Sequence, residues 1–274
     1  MSYSINSNTS SQQANLYATQ NTQNQDKTLT SLSSGSDLTK AANDAASLAI
    51  SDKLLAMMAG SGQAIQNSNE SIGMLQTADG AMAGIEDNTQ RIRVLTLQAS
   101  NDTLNDSDRA NIQLEIDALS TSSQDIASST TFNGINLLDG TGGSLNNGTF
   151  TTQTGANAGD TSSVQIADAR TMVGSVDVTT QEGRDAALTT IDDSLKSISD
   201  SRSNIGSAQN ALMSNIRNTS VSQISAADAA SKLADTDFAQ ESANFSRESL
   251  LAQTGSFAQA QANSRNASIA GLLG

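Results

Sequence analysis

From Leu188 the chain repeats large apolar groups at steps of three and four: Leu188, Ile191, Leu195, Ile198, Ile205, Leu212 and Ile216, with Arg202, Gln209 and Thr219 in the remaining places. That spacing keeps one face of a helix apolar for about nine turns and is the seam of a coiled coil, whose polar members set register. A looser series begins with Leu38, Ala41, Ala45, Leu48, Leu55 and Ala59 and continues as the pairs Ile72/Leu75, Met82/Ile85 and Ile92/Leu95, each one turn apart. Interior glycines cost about 1 kcal/mol each relative to Ala, so Gly60 and Gly62 predict a break in this helix. The polar run 101–108 then supplies N-cap residues for a third series, Ile112, Ile116, Leu119, Ser123 and Ile126. Two helices joined by so short a loop are expected to pack antiparallel.

Between these helical stretches the texture changes. Asn133-Gly134, Asp139-Gly140, Gly142-Gly143 and Asn147-Gly148 are turn signals, and 149–154, 163–166 and 172–178 read as short strands. The same Thr and Gly content also suits a flexible linker. The two ends differ again. Residues 1–37 hold few large apolar groups, chiefly Tyr3, Ile5, Leu16, Tyr17, Leu29 and Leu32. Residues 230–274 set Phe238, Phe245, Leu250, Leu251, Phe257, Ile269, Leu272 and Leu273 in Ala-rich sequence. Neither end has enough of a core to offset the entropy of ordering it alone. The pattern therefore predicts a mainly α chain: a long antiparallel helical hairpin, or coiled-coil rod, with a small β-hairpin region in the middle and terminal helices that order on assembly. Its expected parts are 1–37, disordered in the monomer; rod helices over 38–130; a β/turn region over 131–183; a further rod helix over 184–229; and 230–274, again disordered in the monomer.

Composition narrows the function. The chain has no Cys, Pro, His or Trp and only 3% aromatic residues, while Leu, Ile, Val and Phe together make up about 19%. Large aromatic-anchored interiors of the enzyme kind are not expected, and the absence of Pro removes the strongest helix breaker. With 28 acidic against 14 basic residues and a net charge of −14, phosphate recognition is disfavoured, so no nucleic-acid partner is expected. Like copies repel at low ionic strength, and self-association has to bury apolar surface against that repulsion, with help from salt. Without Cys there is neither a disulfide nor a thiolate metal site, and no cofactor is expected. No stretch has the apolar length of a membrane span. The first thirty residues lack a basic start and an apolar core, so no cleaved signal peptide is expected. The only catalytic candidates are carboxylates, Asp192-Asp193 and Asp106/Asp108, which read as solvated helix faces; no enzymatic activity is expected.

Four segments in series carry a resemblance: LSSGSDLTKAANDAASLAIS at 32–51, residues 69–81, TQRIRVLTLQASN at 89–101 and FNGINLLDG at 132–140. With GANAGDT at 155–161, ALTTIDDSLKSISDSRSNIGSAQNAL at 187–212 and the tail around ANFSRESLLAQTGSFAQAQAN, the chain resembles bacterial flagellin over nearly its whole length. It lacks the basic residues that many members carry after LSSG and the Pro-containing tail. The resemblance implies a structural subunit that polymerises into the flagellar filament for swimming motility, in a short form without large outer domains. Residues 1–37 and 230–274 would line an inner tube, through Ile5, Leu16, Leu29, Leu32, Phe238, Phe245, Leu251 and Phe257, and 38–229 would form the rod. It further implies export by the flagellar type III route to an extracellular filament, with an export chaperone and junction and cap proteins as partners. A hook–filament junction protein shares the helical ends and is the alternative; such proteins tend to carry a Pro where this chain reads Asn43-Asp44-Ala45-Ala46. Finally, Arg91, Leu95 and Glu115 match positions at which the family is recognised by an animal Toll-like receptor. The same three residues equally suit contacts between rod subunits.

Overall fold

The computed structural model describes residues 9–273, apart from the side chains of Asn266, Ile269, Ala270, Leu272 and Leu273. Its elements run α1 (Thr9–Ser34), α2 (Ala45–Ala99), α3 (Asp106–Ser129), β1 (Thr131–Phe132), β2 (Ile135–Asn136), β3 (Thr149–Gln153), β4 (Thr161–Gln165), a 3-10 turn (Ala169–Thr171), α4 (Gln181–Ala234) and α5 (Phe238–Leu273). The fold is mainly α with a small β region, as the periodicity predicts. Residues divide into two compact units, one made of 1–56 with 226–274 and the other of 57–225.

The second unit holds the hydrophobic core. Ile191, Ile198, Ile205 and Leu212 are each at most 2% exposed, so the deepest members of the predicted seam fall seven residues apart. They join one cluster with Leu75, Met82, Ile85, Ile92 and Leu95 of α2 and Ile112 and Ile116 of α3. Full burial of each such side chain contributes about 1.5–3 kcal/mol. Opposed charges fix the pairing of α2 with α4: Arg93 Nε donates to Asp192 at 2.8 Å, and Arg202 reaches Asp79 at 2.9 Å and Glu86 at 2.5 Å. Asn105 opens α3 with a capping box closed by Asp108. Arg109, almost fully buried, turns back to donate to the carbonyls of Ala99 and Asn101 and so satisfies the end of α2.

Three expectations need correction. α2 is unbroken through Gly60 and Gly62. A Cβ at Gly60 would lie 3.1 Å from that of Ala156, so the glycine lets the β3–β4 connection lie against the helix. Secondly, α2 begins at Ala45, not residue 38, because Asp44 caps it, accepting from the backbone of Ala46 and Ser47 at 3.0 Å each. Thirdly, 172–178 is not a strand. Val173, Val176 and Val178 are buried, but their backbone is met by a side chain: Gln113 donates to the Val176 carbonyl and accepts from the Val178 amide, both at 2.8 Å. The predicted turn at Asn133-Gly134 is present, with φ of 50° and 77°, and joins β1 to β2. β3 and β4 pair antiparallel from Thr149↔Gln165 to Gln153↔Thr161.

In the first unit α1 packs along α5. Gly35, at φ 70°, ends α1 by donating to the Ser31 carbonyl. A bridge between Ser36 and Asp235, with Asp37 N donating to Ala234 O at 2.8 Å, ties the two chain segments together. Among the described residues no helix is long and apolar enough to cross a membrane.

Candidate assembly interface

Helix pairs normally bury their apolar groups and expose their polar ones. The pair α1–α5 does much the reverse. At its buried seam are Thr28, 4% exposed, and Ser31, and the Thr28 hydroxyl donates to Glu248 Oε2 at 2.8 Å. Further along, Ser11 donates to Asn263 and Gln259 to Asn15, each at 2.8 Å. Meanwhile Leu16, Leu29, Phe238, Leu251 and Phe257 are 47–76% exposed. Leu250 and Phe257, seven residues apart, share the outward face of α5. Leu32 and Phe245 are half-buried; Ile5 lies outside the described residues. The polar contacts set the register of α1 on α5, and the exposed Leu and Phe groups form a surface that water disfavours.

The seam on α4 is placed differently. Ile191, Ile198, Ile205 and Leu212 are occupied inside the second unit, with Leu188, Leu195 and Ile216 half-buried beside them, so this seam assembles the chain's own helices and is closed to a partner.

Arg91, Leu95 and Glu115 are only partly brought together at the surface. Arg91 donates through Nη2 and Nε to Glu115 Oε1 at 2.7 and 3.1 Å, with both side chains about half exposed. Leu95 is 2% exposed and belongs to the core, so it supports this patch from beneath and cannot meet a partner directly. The accessible apolar neighbours are Val94, Leu97 and Leu114, all exposed. Helical phase reveals them: with Ile92 and Leu95 turned inward, Val94 and Leu97 must face out.

Three of the four carboxylates considered for catalysis have structural partners, Asp106 lying 3.6 Å from Arg109. Asp192 accepts from Arg93 and Asp108 closes the cap of α3. The ion triad at Arg202 was not anticipated from the sequence, although Asp79 and Glu86, seven apart, share a face of α2 and bracket the cation. Hydrogen bonds from Arg202 to Asp79 and then to Glu86 drive the guanidinium even further above its ordinary range.

Comparisons with known proteins match both ends of the chain. Residues 5–142 match the bacterial flagellin N-terminal helical region and residues 188–273 the bacterial flagellin C-terminal helical region. The chain is 34% identical to a flagellin of Halalkalibacterium halodurans, over 90% of this chain and 91% of that one. It is 32% identical to the flagellar filament 31.3 kDa core protein of Treponema maltophilum, over 91% and 92% of the two chains. A Bacillus subtilis flagellin is 34% identical over 90% and 92%. Among solved structures, the crystal structure of Bacillus cereus flagellin superposes with a TM-score of 0.51 at 28% identity, covering 56% of this chain and 88% of that one.

Proposed function

The chain belongs to the bacterial flagellin family, and from that premise we propose that it builds the flagellar filament by ordering its two ends against neighbouring copies. The family is one of structural proteins, and the chain is a short filament subunit in which residues 143–187 alone separate the two matched regions. The filament is an extracellular appendage. The matches to flagellins and filament core proteins favour this role over that of a junction protein.

The observation that carries the mechanism is the outward set of Leu16, Leu29, Phe238, Leu251 and Phe257 around a polar α1–α5 seam. A lone chain leaves these groups in water. Copies packed side by side bury them, and each full burial contributes about 1.5–3 kcal/mol toward offsetting the entropy of ordering the ends and the mutual repulsion of copies at net charge −14. On this reading residues 1–37 and 230–274 are disordered in the monomer, suited to passage through a narrow export channel, and an export chaperone would cover the C-terminal end until release. Cap and junction proteins would meet the same ends. The patch of Arg91, Glu115, Val94 and Leu97 would contact a neighbouring subunit in the filament and be open to an animal Toll-like receptor in the free subunit.

Electron microscopy of purified chain after addition of salt, paired with circular dichroism, tests this. Filaments accompanied by a gain in helix are expected. Deleting 230–274 should leave a soluble, helical chain that forms none; filaments from that truncation would refute the scheme.

A further inference from the structure

The first unit contains a cavity of about 280 Å³ whose lining includes Lys27, Lys40, Asp26, Thr30 and Asn43, all polar. Most of the basic side chains are spoken for: Arg91, Arg93, Arg170, Lys196, Arg202 and Lys232 are in ion pairs, and Arg109 and Arg184 donate to backbone carbonyls. The ammonium groups of Lys27 and Lys40 have no hydrogen-bond or ion-pair partner among the described residues. In a chain of net charge −14, a cavity with two unengaged ammonium groups against one carboxylate is a local excess of positive charge.

The complementary surface is in the second unit. Since Arg93 pairs with Asp192, and Gln113 holds the segment leading into α4, the C-terminus of α2 and the N-termini of α3 and α4 share one end of that unit. This end exposes Asp102, Asp106, Glu182 and Asp185. Arg109 and Arg184 are buried on backbone carbonyls; Arg109 also lies 3.6 Å from the fully exposed Asp106, while Asp102, Glu182 and Asp185 have no ion pair among the described residues, so the end keeps an excess of negative charge.

We propose that the Lys27–Lys40 cavity of one copy receives the acidic end, Asp102 and Asp106 foremost, of another copy. The inference rests on the filament reading and names a contact within it. Two different patches meet, so the contact is heterologous, and a heterologous contact that does not close on itself propagates as an open helical polymer. It also converts part of the repulsion between like-charged copies into a directed attraction that fixes how one copy is placed on the next.

Charge exchange in the full-length chain tests it. Lys27→Glu with Lys40→Glu should raise the critical concentration for polymerisation about fivefold, and Asp102→Lys with Asp106→Lys similarly. The chain carrying all four substitutions should return close to the wild-type value, because each copy then presents both exchanged partners. Circular dichroism of the monomers checks that the variants fold alike. Losses that add in the fourfold variant, or no loss in either pair, would overturn the contact while leaving the filament reading intact. A wild-type chain that forms no filaments in any salt would remove both.

Discussion

A Cβ placed on Gly60 would stand 3.1 Å from the Cβ of Ala156, closer than side chains ordinarily pack. The helix tolerates a residue of poor helix propensity there because the connection between β3 and β4 lies against it, and eleven residues further along α2 the hydroxyls of Ser71 and of Thr152 on β3 are 2.5 Å apart. Gly60→Leu should therefore lose about 1–3 kcal/mol through overpacking. Gly80, with nothing within 4 Å of its Cβ position, should gain up to about 1 kcal/mol as Gly80→Ala. Urea unfolding followed by far-UV circular dichroism measures both; equal effects at the two glycines would contradict the close approach.

Arg202 bridges two carboxylates with about a third of its side chain exposed, and Glu86 is the less exposed of its partners at 26%. Double-mutant cycles should give Arg202–Glu86 a coupling of about 1 kcal/mol, larger than that of Arg91–Glu115, where both partners are about half in water. Raising salt should erode the second coupling more than the first.

Acid should reveal the pair Asp139 and Asp168. Burial pushes the Asp139 carboxyl up, but hydrogen bonds from Thr141 and Asn136 outweigh it and hold the group below the usual range. The side-chain hydrogen bond from Arg170 lowers Asp168. A lowered carboxyl adds stability that is complete above its unfolded value, near 3.9, and is lost as pH falls through the folded one. Asp139→Asn with Asp168→Asn should thus be less stable than wild type by about 1–3 kcal/mol at pH 7, with the two stability curves converging below about pH 4. A gap that persists in acid would mean that packing, not charge, holds this loop.

Two apolar substitutions separate folding from assembly. Ile198→Ala empties a fully buried site and should cost about 2–5 kcal/mol of stability. Phe257→Ser changes a side chain that is 76% exposed and should scarcely alter monomer unfolding, yet raise the critical concentration for polymerisation at least tenfold. Should Phe257→Ser polymerise normally, the outward face of α5 would not be the surface that copies bury.

How far the sequence reveals this arrangement depends on what carries the periodicity. The α4 seam is spelled in Ile and Leu and is legible at once. The matching seam on α2 is disguised, because its buried places at Ser68, Thr89 and Thr96 hold hydroxyls. Each donates to the carbonyl four residues back, Ala64, Ile85 and Ile92, and so reads as polar while packing as core. The segment 172–178 misleads in the opposite sense: Val176 and Val178 alternate like a strand, yet a single Gln113 amide takes the place of a neighbouring strand. Nothing local marks a distant side chain as a backbone partner. The same limit hides Arg202, whose two carboxylates lie more than a hundred residues away in sequence. At the α1–α5 pair the legible part was the shortage of apolar groups, and the missing part was their direction, which depends on Thr28 meeting Glu248.

The patch at Arg91 allows a division of roles by burial. Arg91→Ala breaks an ion pair whose members are about half exposed and should leave unfolding within about 0.5 kcal/mol of wild type. Leu95→Ala, by contrast, removes a core side chain and should cost about 2–5 kcal/mol. If the exposed groups make the receptor contact, a reporter-cell assay with monomeric chain should weaken for Arg91→Ala, and for Val94→Asp should change without loss of stability. Leu95→Ala should act only in proportion to the fraction unfolded, recovering wild-type potency at lower temperature. Equal signals from wild type and Arg91→Ala would assign the patch to contacts between subunits alone, and the filament's critical concentration should then carry the whole effect of that substitution.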